Sequence, residues 1–259
     1  KMPMKKKHMD SIHNLIKLVE QLRVKCPWDR EQTFDTLRNL TIEETFELSE
    51  AIIVNDNEQI KNELGDILLH IIFYATIASE NEFFNLYDVS ESISNKLINR
   101  HPHVFDNKKI NNSDDIKKNW EEIKLKEGNK SVLSGVPNGL PPIFKAIRIQ
   151  DKVSSIGFDW TNIIDVKKKV NEELQELQIE INKNNKEKIE NEFGDLLFSL
   201  INYARFIKID PSKSLEKTNI KFMNRFNYME KNISSKGEKI NDLSVSELNL
   251  LWEKSKKLF

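Results

Sequence analysis

A single cysteine, Cys26, occurs in the chain, so no internal disulfide and no multi-cysteine metal site can form, and a lone thiol of this kind reads as structural. Glycine and proline are scarce, seven of each, and three of each fall in GNKSVLSGVPNGLPP at 128–142, where clustered breakers mark a linker. Charge of one sign is also missing. Lysine and arginine number 40 against 41 aspartates and glutamates, which gives no electrostatic case for nucleic acid or a membrane surface. The apolar runs are short, as in IIFYATIA at 71–78, and none could span a bilayer. KMPMKKKHMD at the start is basic, but no apolar run follows, so it does not read as a secretory signal. GxxxxGK[ST] and GxSxG are absent, which removes the common nucleotide-loop and acyl-transfer signatures. These absences set the expectation of a cytoplasmic protein with no membrane and no nucleic-acid partner.

What remains is helical periodicity. Ile12, Leu15, Ile16, Val19 and Leu22 share one spacing, as do Ile189, Phe193, Leu196, Leu197 and Leu200. No convincing alternating strand appears. The spacing predicts helices near 9–24, 41–54, 57–80, 87–99, 114–126, 140–153, 162–183, 186–207, 212–235 and 244–257. The expected fold is all-α, with helical domains over 1–127 and 143–259 joined by the linker at 128–142.

The two halves repeat. A displacement of 129 carries Glu43, Glu44, Glu47, Glu63, Gly65 and Asp66 onto Glu172, Glu173, Glu176, Glu192, Gly194 and Asp195 without a gap, and Tyr74-Ala75 onto Tyr203-Ala204. Trp28 and Trp120 lie 92 apart, as do Trp160 and Trp252. Duplication of one helical unit explains both relations.

The repeated frame carries chemistry. On a helix, Glu43 and Glu44 face the same way as Glu47, and Glu63 the same way as Asp66. Placed on a wheel of about 100° per residue, these acids flank an apolar arc made by Leu64, Ile67, Leu68 and Ile71. Two antiparallel helices packed through such arcs would gather four carboxylates, and like charges so placed bind protons or require a cation. All-oxygen ligation points to Mg²⁺ or Mn²⁺, with substrate phosphates completing the shell. Glycine inside a helix costs about 1 kcal/mol relative to alanine, so Gly65 and Gly194 suggest close packing or close approach of a ligand. A di-iron bundle needs Glu-x-x-His on two helices, and no such motif occurs. Asp10-x-x-His13 is single, His101 and His103 read as a turn after a helix, and His70 becomes Ser199 in the second copy. No histidine is assigned to metal.

Basic residues furnish the second frame better than the first. Lys169 and Lys188 each lie one turn before its acids, and Lys221 and Arg225 form an i, i+4 pair downstream. The first copy has Lys96 and Arg100, but Leu40 stands where Lys169 would map, and Gln59 and Ile60 stand near the position of Lys188. The first frame therefore offers a second candidate metal site at Glu44, Glu47, Glu63 and Asp66, with weaker equipment for an anionic substrate.

EExxE followed after 15 residues by ExxD, present twice, together with CPWDREQTF at 26–34, KLINRHPHVF at 96–105 and GFDW at 157–160, resembles the MazG nucleoside triphosphate pyrophosphohydrolases over nearly the whole chain. The resemblance implies tandem MazG-type domains of four-helix-bundle-like architecture in a homodimer. It also implies Mg²⁺-dependent hydrolysis of nucleoside triphosphates of broad base range to monophosphate and pyrophosphate. Catalysis would reside in the second domain and assembly mainly in the first. Carried over by residue, Glu173, Glu176, Glu192 and Asp195 would hold metal, and Lys169, Glu172, Lys188, Lys221, Arg225 and Trp252 would line the nucleotide site. Either Glu172 or Glu173 could act as the base. The alternative reading is a non-catalytic helical scaffold whose acidic frames are structural.

Overall fold

The computed structural model describes residues 6–105 and 131–259. All regular structure among them is helical. The helix expected at 114–126 and Trp120 lie outside the described residues. The chain divides into two compact units between residues 109 and 110.

The first unit contains α1 (Lys6–Lys25), α2 (Pro27–Glu31), α3 (Phe34–Val54), α4 (Asn57–Glu80), α5 (Leu86–Arg100) and α6 (Pro102–Phe105). Its centre is the antiparallel hairpin of α3 and α4, against which α1 packs. Val19, Leu37, Ile72, Phe73 and Ile77 form the buried core, with Leu15, Leu40 and Leu86 packed around it. Each such side chain contributes about 1.5–3 kcal/mol when taken from water. Helix α3 begins well before the expected residue 41, because Thr33 and Thr36 exchange bonds in a capping box that starts the helix at Phe34.

The second unit contains a 3₁₀ turn (Val132–Gly135), α7 (Pro142–Ser155), α8 (Ile163–Lys183), α9 (Lys186–Phe206), α10 (Pro211–Ser234), a 3₁₀ turn (Ile240–Asp242) and α11 (Val245–Ser255). The first turn packs on α7, so part of the stretch read as a linker is ordered. The hairpin of α8 and α9 is again the main contact, and α7 lies along α9, where Gln150 Nε2 donates to the Phe198 carbonyl at 2.8 Å. A separate cluster of Met229, Ile233 and Leu251 joins α10 to α11.

The two hairpins turn in the same way. Asn55 and Asn184 take left-handed backbone (φ 59° and 53°), a conformation asparagine tolerates better than most residues, and each ends its helix. The next residue caps the following helix: Asp56 accepts from the Glu58 and Gln59 amides, and Asn185 from the Lys188 amide. A two-residue connection so capped fixes which turns of the two helices face each other.

A tryptophan-bearing segment precedes each hairpin and is pinned by an arginine. Arg23 donates to the carbonyls of Asp29, Arg30 and Gln32 and grips Glu80 at the end of α4 with two bonds of 2.8 Å. Arg205 near the end of α9 holds Asp159 of the GFDW segment through two bonds of 2.8 and 2.5 Å.

The wheel is corrected in one respect. Glu63 does not flank the packed face of α4; it lies in it, with Asp66 half-buried one turn on. Glu63 is 3% exposed, with His70, Phe73 and Ile77 buried beyond it, whereas Leu64 is 53% exposed and Leu68 and Ile71 are exposed too. In the second unit Phe193 (52% exposed), Leu197 and Leu200 are likewise outside.

Candidate metal and nucleotide site

Each hairpin brings three carboxylates together. In the first unit Glu44 from α3 meets Glu63 and Asp66 from α4; in the second, Glu173 and Glu176 from α8 meet Glu192 from α9. Within each group one oxygen per residue lies within 4.8 Å of the others. Glu47 and Asp195, the remaining expected metal ligands of the two units, are exposed and stand outside these groups. No histidine enters either group among the described residues. The Cβ that alanine would add at Gly65 or Gly194 meets nothing within 4 Å, so neither glycine is required by a neighbour within the chain.

The electrostatics of the groups differ. In the first, Gln59 Nε2 donates to Glu63 Oε1, while Glu63 Oε2 is buried with no partner. Burial pushes the Glu44 carboxyl up to about 7, helped by a hydrogen bond with Glu63 and by the charges of Asp66 and Glu47. His70, one turn after Asp66, is buried with Nδ1 unpartnered, and that burial lowers its pKa against the pull of Asp66. Among the described residues, no lysine or arginine is bonded to this acidic cluster.

In the second group a cation is built in. Lys169 Nζ lies 2.7 Å from both Glu172 Oε1 and Glu173 Oε1. Those bonds raise the lysine further above its ordinary value, the Glu172 bond most. Glu173 is 6% exposed and Glu172 is exposed, so one lysine bridges a buried and a solvated carboxylate. Glu176 is raised by partial desolvation and by the charges of Glu173 and Glu192, with Lys169 opposing. The donor set fits a hard divalent cation in both units: hard carboxylate oxygens at chelating separation, with an orphaned buried oxygen in the first.

The other expected nucleotide contacts fall into two places. Lys188 opens α9 close enough to Glu180 for its charge to bear on that carboxyl. Arg225 lies over the Trp252 ring at 5.7 Å and donates to the Phe259 carbonyl at 2.6 Å, and Phe222 meets the same ring at 5.0 Å. Lys221 is exposed one turn earlier on α10. Arg225 and Trp252 thus pair with each other, and Arg225 with Phe259. A cleft of about 600 Å³ between α1, α4 and α5 in the first unit, lined in part by Ile16, Ile72, Glu80 and Tyr87, includes none of the cluster acids.

Two features escaped the sequence reading. The arginine clamps had no local signal, since Arg23 and Glu80 are 57 residues apart and Arg205 and Asp159 are 46. Buried Glu180 did have one: it continues the Glu173 stripe by two helical turns.

The sequence profile described as the MazG nucleotide pyrophosphohydrolase domain matches residues 32–105 and 163–229, and so takes in both hairpins. The Escherichia coli K12 protein named nucleoside triphosphate pyrophosphohydrolase is 36% identical over 96% of this chain and 98% of its own length. A Thermotoga maritima protein named nucleoside triphosphate pyrophosphohydrolase/pyrophosphatase MazG is 41% identical over 93% of this chain and 94% of its own. A Bacillus subtilis protein, YabN, is 41% identical over 89% of this chain, which spans 48% of that longer protein. With the acid frames, the hairpins and these relatives in agreement, the chain belongs to the MazG family.

Proposed function

We propose that this chain is a nucleoside triphosphate pyrophosphohydrolase that works through its second unit, cleaving the α–β phosphoanhydride of nucleoside triphosphates to monophosphate and pyrophosphate. The observation that carries the reading is the pairing there of a three-carboxylate group with Lys169; the described residues of the first unit show no such lysine, and Leu40 stands at the matching position. Glu173, Glu176 and Glu192 would hold Mg²⁺ or Mn²⁺, with exposed Asp195 joining them through its side chain or a water. When bound, the cation supplies charge neutralisation on the phosphates and a more acidic water.

The protein's own residues do the rest. Lys169 bonds both Glu172 and Glu173, and Glu172, outside the three-carboxylate group, is the one left to accept the proton of the attacking water. The water oxygen bonds to phosphorus as the bond to the departing pyrophosphate breaks. Lys188, Lys221 and Arg225 would neutralise the triphosphate. Trp252 would stack on the base, and a π-face contact tolerates every base, which accords with a broad range.

The exposed apolar arcs of Leu64 and Ile71 on α4, and of Phe193 and Leu197 on α9, suit burial against a second copy, and we propose a homodimer. No helix among the described residues is long and apolar enough to cross a membrane.

The test is pyrophosphate release over a panel of NTPs and dNTPs with Mg²⁺. Glu192→Ala/Asp195→Ala is expected to lose at least ~100-fold in kcat/KM, while Glu63→Ala/Asp66→Ala keeps most of the activity. Full activity in the first of these variants would defeat the proposal.

A further inference from the structure

Comparison of the two hairpins at their closed ends reveals three linked differences. Ala51, Val54 and Gln59 of the first unit correspond, at the displacement of 129, to Glu180, Lys183 and Lys188 of the second. One carboxylate and two ammonium groups thus appear together, and only beside the lysine-equipped site. Glu180 is 8% exposed; Lys183 Nζ meets its Oε1 at 2.7 Å, and its Oε2 is buried without a partner. Lys183 and Lys188 together hold its carboxyl below the usual range, the Lys183 bond most.

The first unit shows where a side chain at the Lys188 position can reach. Gln59 there bonds Glu63, the counterpart of Glu192. A lysine with the same reach would collapse onto Glu192 and cancel a metal-binding carboxylate, unless another anion competes for it. Glu180 lies at the end of α8 and Lys188 at the start of α9, on either side of the two-residue turn; one Glu180 oxygen is unclaimed, and the Lys188 charge bears on its carboxyl.

We infer that Glu180 is a positioning residue: it draws the Lys188 ammonium away from Glu192 and keeps it poised for a phosphate, while Lys183 anchors the other oxygen of Glu180. The inference rests on the reading of the second unit as the hydrolase site. It assigns Glu180 no contact with substrate.

The experiment is a double-mutant cycle on the full chain, with steady-state pyrophosphate release for wild type, Glu180→Gln, Lys188→Met and the double variant. Glu180→Gln is expected to raise KM for the triphosphate about fivefold with kcat within about twofold, and to add nothing once Lys188 is methionine. Glu180→Asp, which keeps the charge, is expected to recover part of the KM. An unchanged KM, or the same fold-change in both Lys188 backgrounds, overturns the inference while leaving the hydrolase reading intact. Calorimetric Kd values for an α,β-methylene triphosphate with Mg²⁺, on the same proteins, carry the same cycle without turnover. A wild type that binds the analogue but releases no pyrophosphate defeats the hydrolase reading and leaves the cycle to judge Glu180, whereas one that does neither overturns both.

Discussion

The two units have the same hairpin, the same asparagine turn and the same five acids, yet among the described residues only the second bonds one of its clustered carboxylates to a lysine. In the first, Glu44, Glu63 and Asp66 crowd together with Gln59 as the polar neighbour of Glu63, and Glu44 is pushed up to about 7 by burial. In the second, Lys169 bridges Glu172 and Glu173. Duplication preserved the acids, and in the function we propose the lysines separate a cluster that would also engage phosphate from one that would hold only a cation.

The comparison breaks most sharply at Lys169. Lys169→Leu copies the first unit's Leu40 into the second and should lower kcat/KM for NTP by about 100-fold, through lost phosphate contact and the loss of the bond that holds Glu172 in place. An effect under about fivefold would remove Lys169 from the mechanism.

Equivalent charge removals should then have opposite signs. Glu173→Gln breaks a pair in which the carboxylate is buried, and is expected to destabilise by about 2 kcal/mol in denaturant unfolding with chelator present. Glu44→Gln, at the matching position, removes a charge from an uncompensated cluster and should stabilise by about 1 kcal/mol. Equal signs would show the lysine to be electrostatically idle.

A pH series tests the same contrast. The folded-state pKa of Glu44 is raised, so the folded chain holds that proton more tightly than the unfolded chain does. Its stabilising contribution is complete below the unfolded value near 4.5 and is lost as pH rises through about 7. Metal-free stability should therefore fall by on the order of 1 kcal/mol between pH 5 and 8. Glu44→Gln should flatten that slope, and Mg²⁺ at pH 8 should restore the loss. A wild-type stability that is flat or rising over this range would contradict the cluster's assignment.

The smallest effect is expected at the glycines. Gly65→Ala and Gly194→Ala place a methyl group in open space and should each stabilise by up to about 1 kcal/mol through helix propensity. Destabilisation, accompanied by a smaller species on gel filtration, would instead put a partner subunit against that face.

Much of this was legible in the sequence because it is local. The hairpins, their limits near residues 54 and 183 and the acid frames all follow from periodicity and spacing. The start of α3 was missed because a threonine capping box, with no glycine or proline, marks it. The wheel gave the acids the wrong side, since hydrophobicity alone cannot say that Glu63 is buried while Leu64 is exposed. Which three of four carboxylates converge depends on how the facing helices are rotated, and Glu47 and Asp195 point out of reach of that prediction. The clamps of Arg23 and Arg205 join residues too distant in sequence for any periodic signal.

The two-residue turn has a kinetic corollary. The chelating oxygens of each unit come from one unbroken stretch, Glu44 to Asp66 or Glu173 to Glu192, closed at Asn55 or Asn184. Their mean sequence separation is small, so closing this loop costs little entropy and the pairing belongs among the fast, low-contact-order events of folding. A nascent chain would therefore assemble the acidic chelate as soon as the second helix of a hairpin is made, before α5 or α10 follows it.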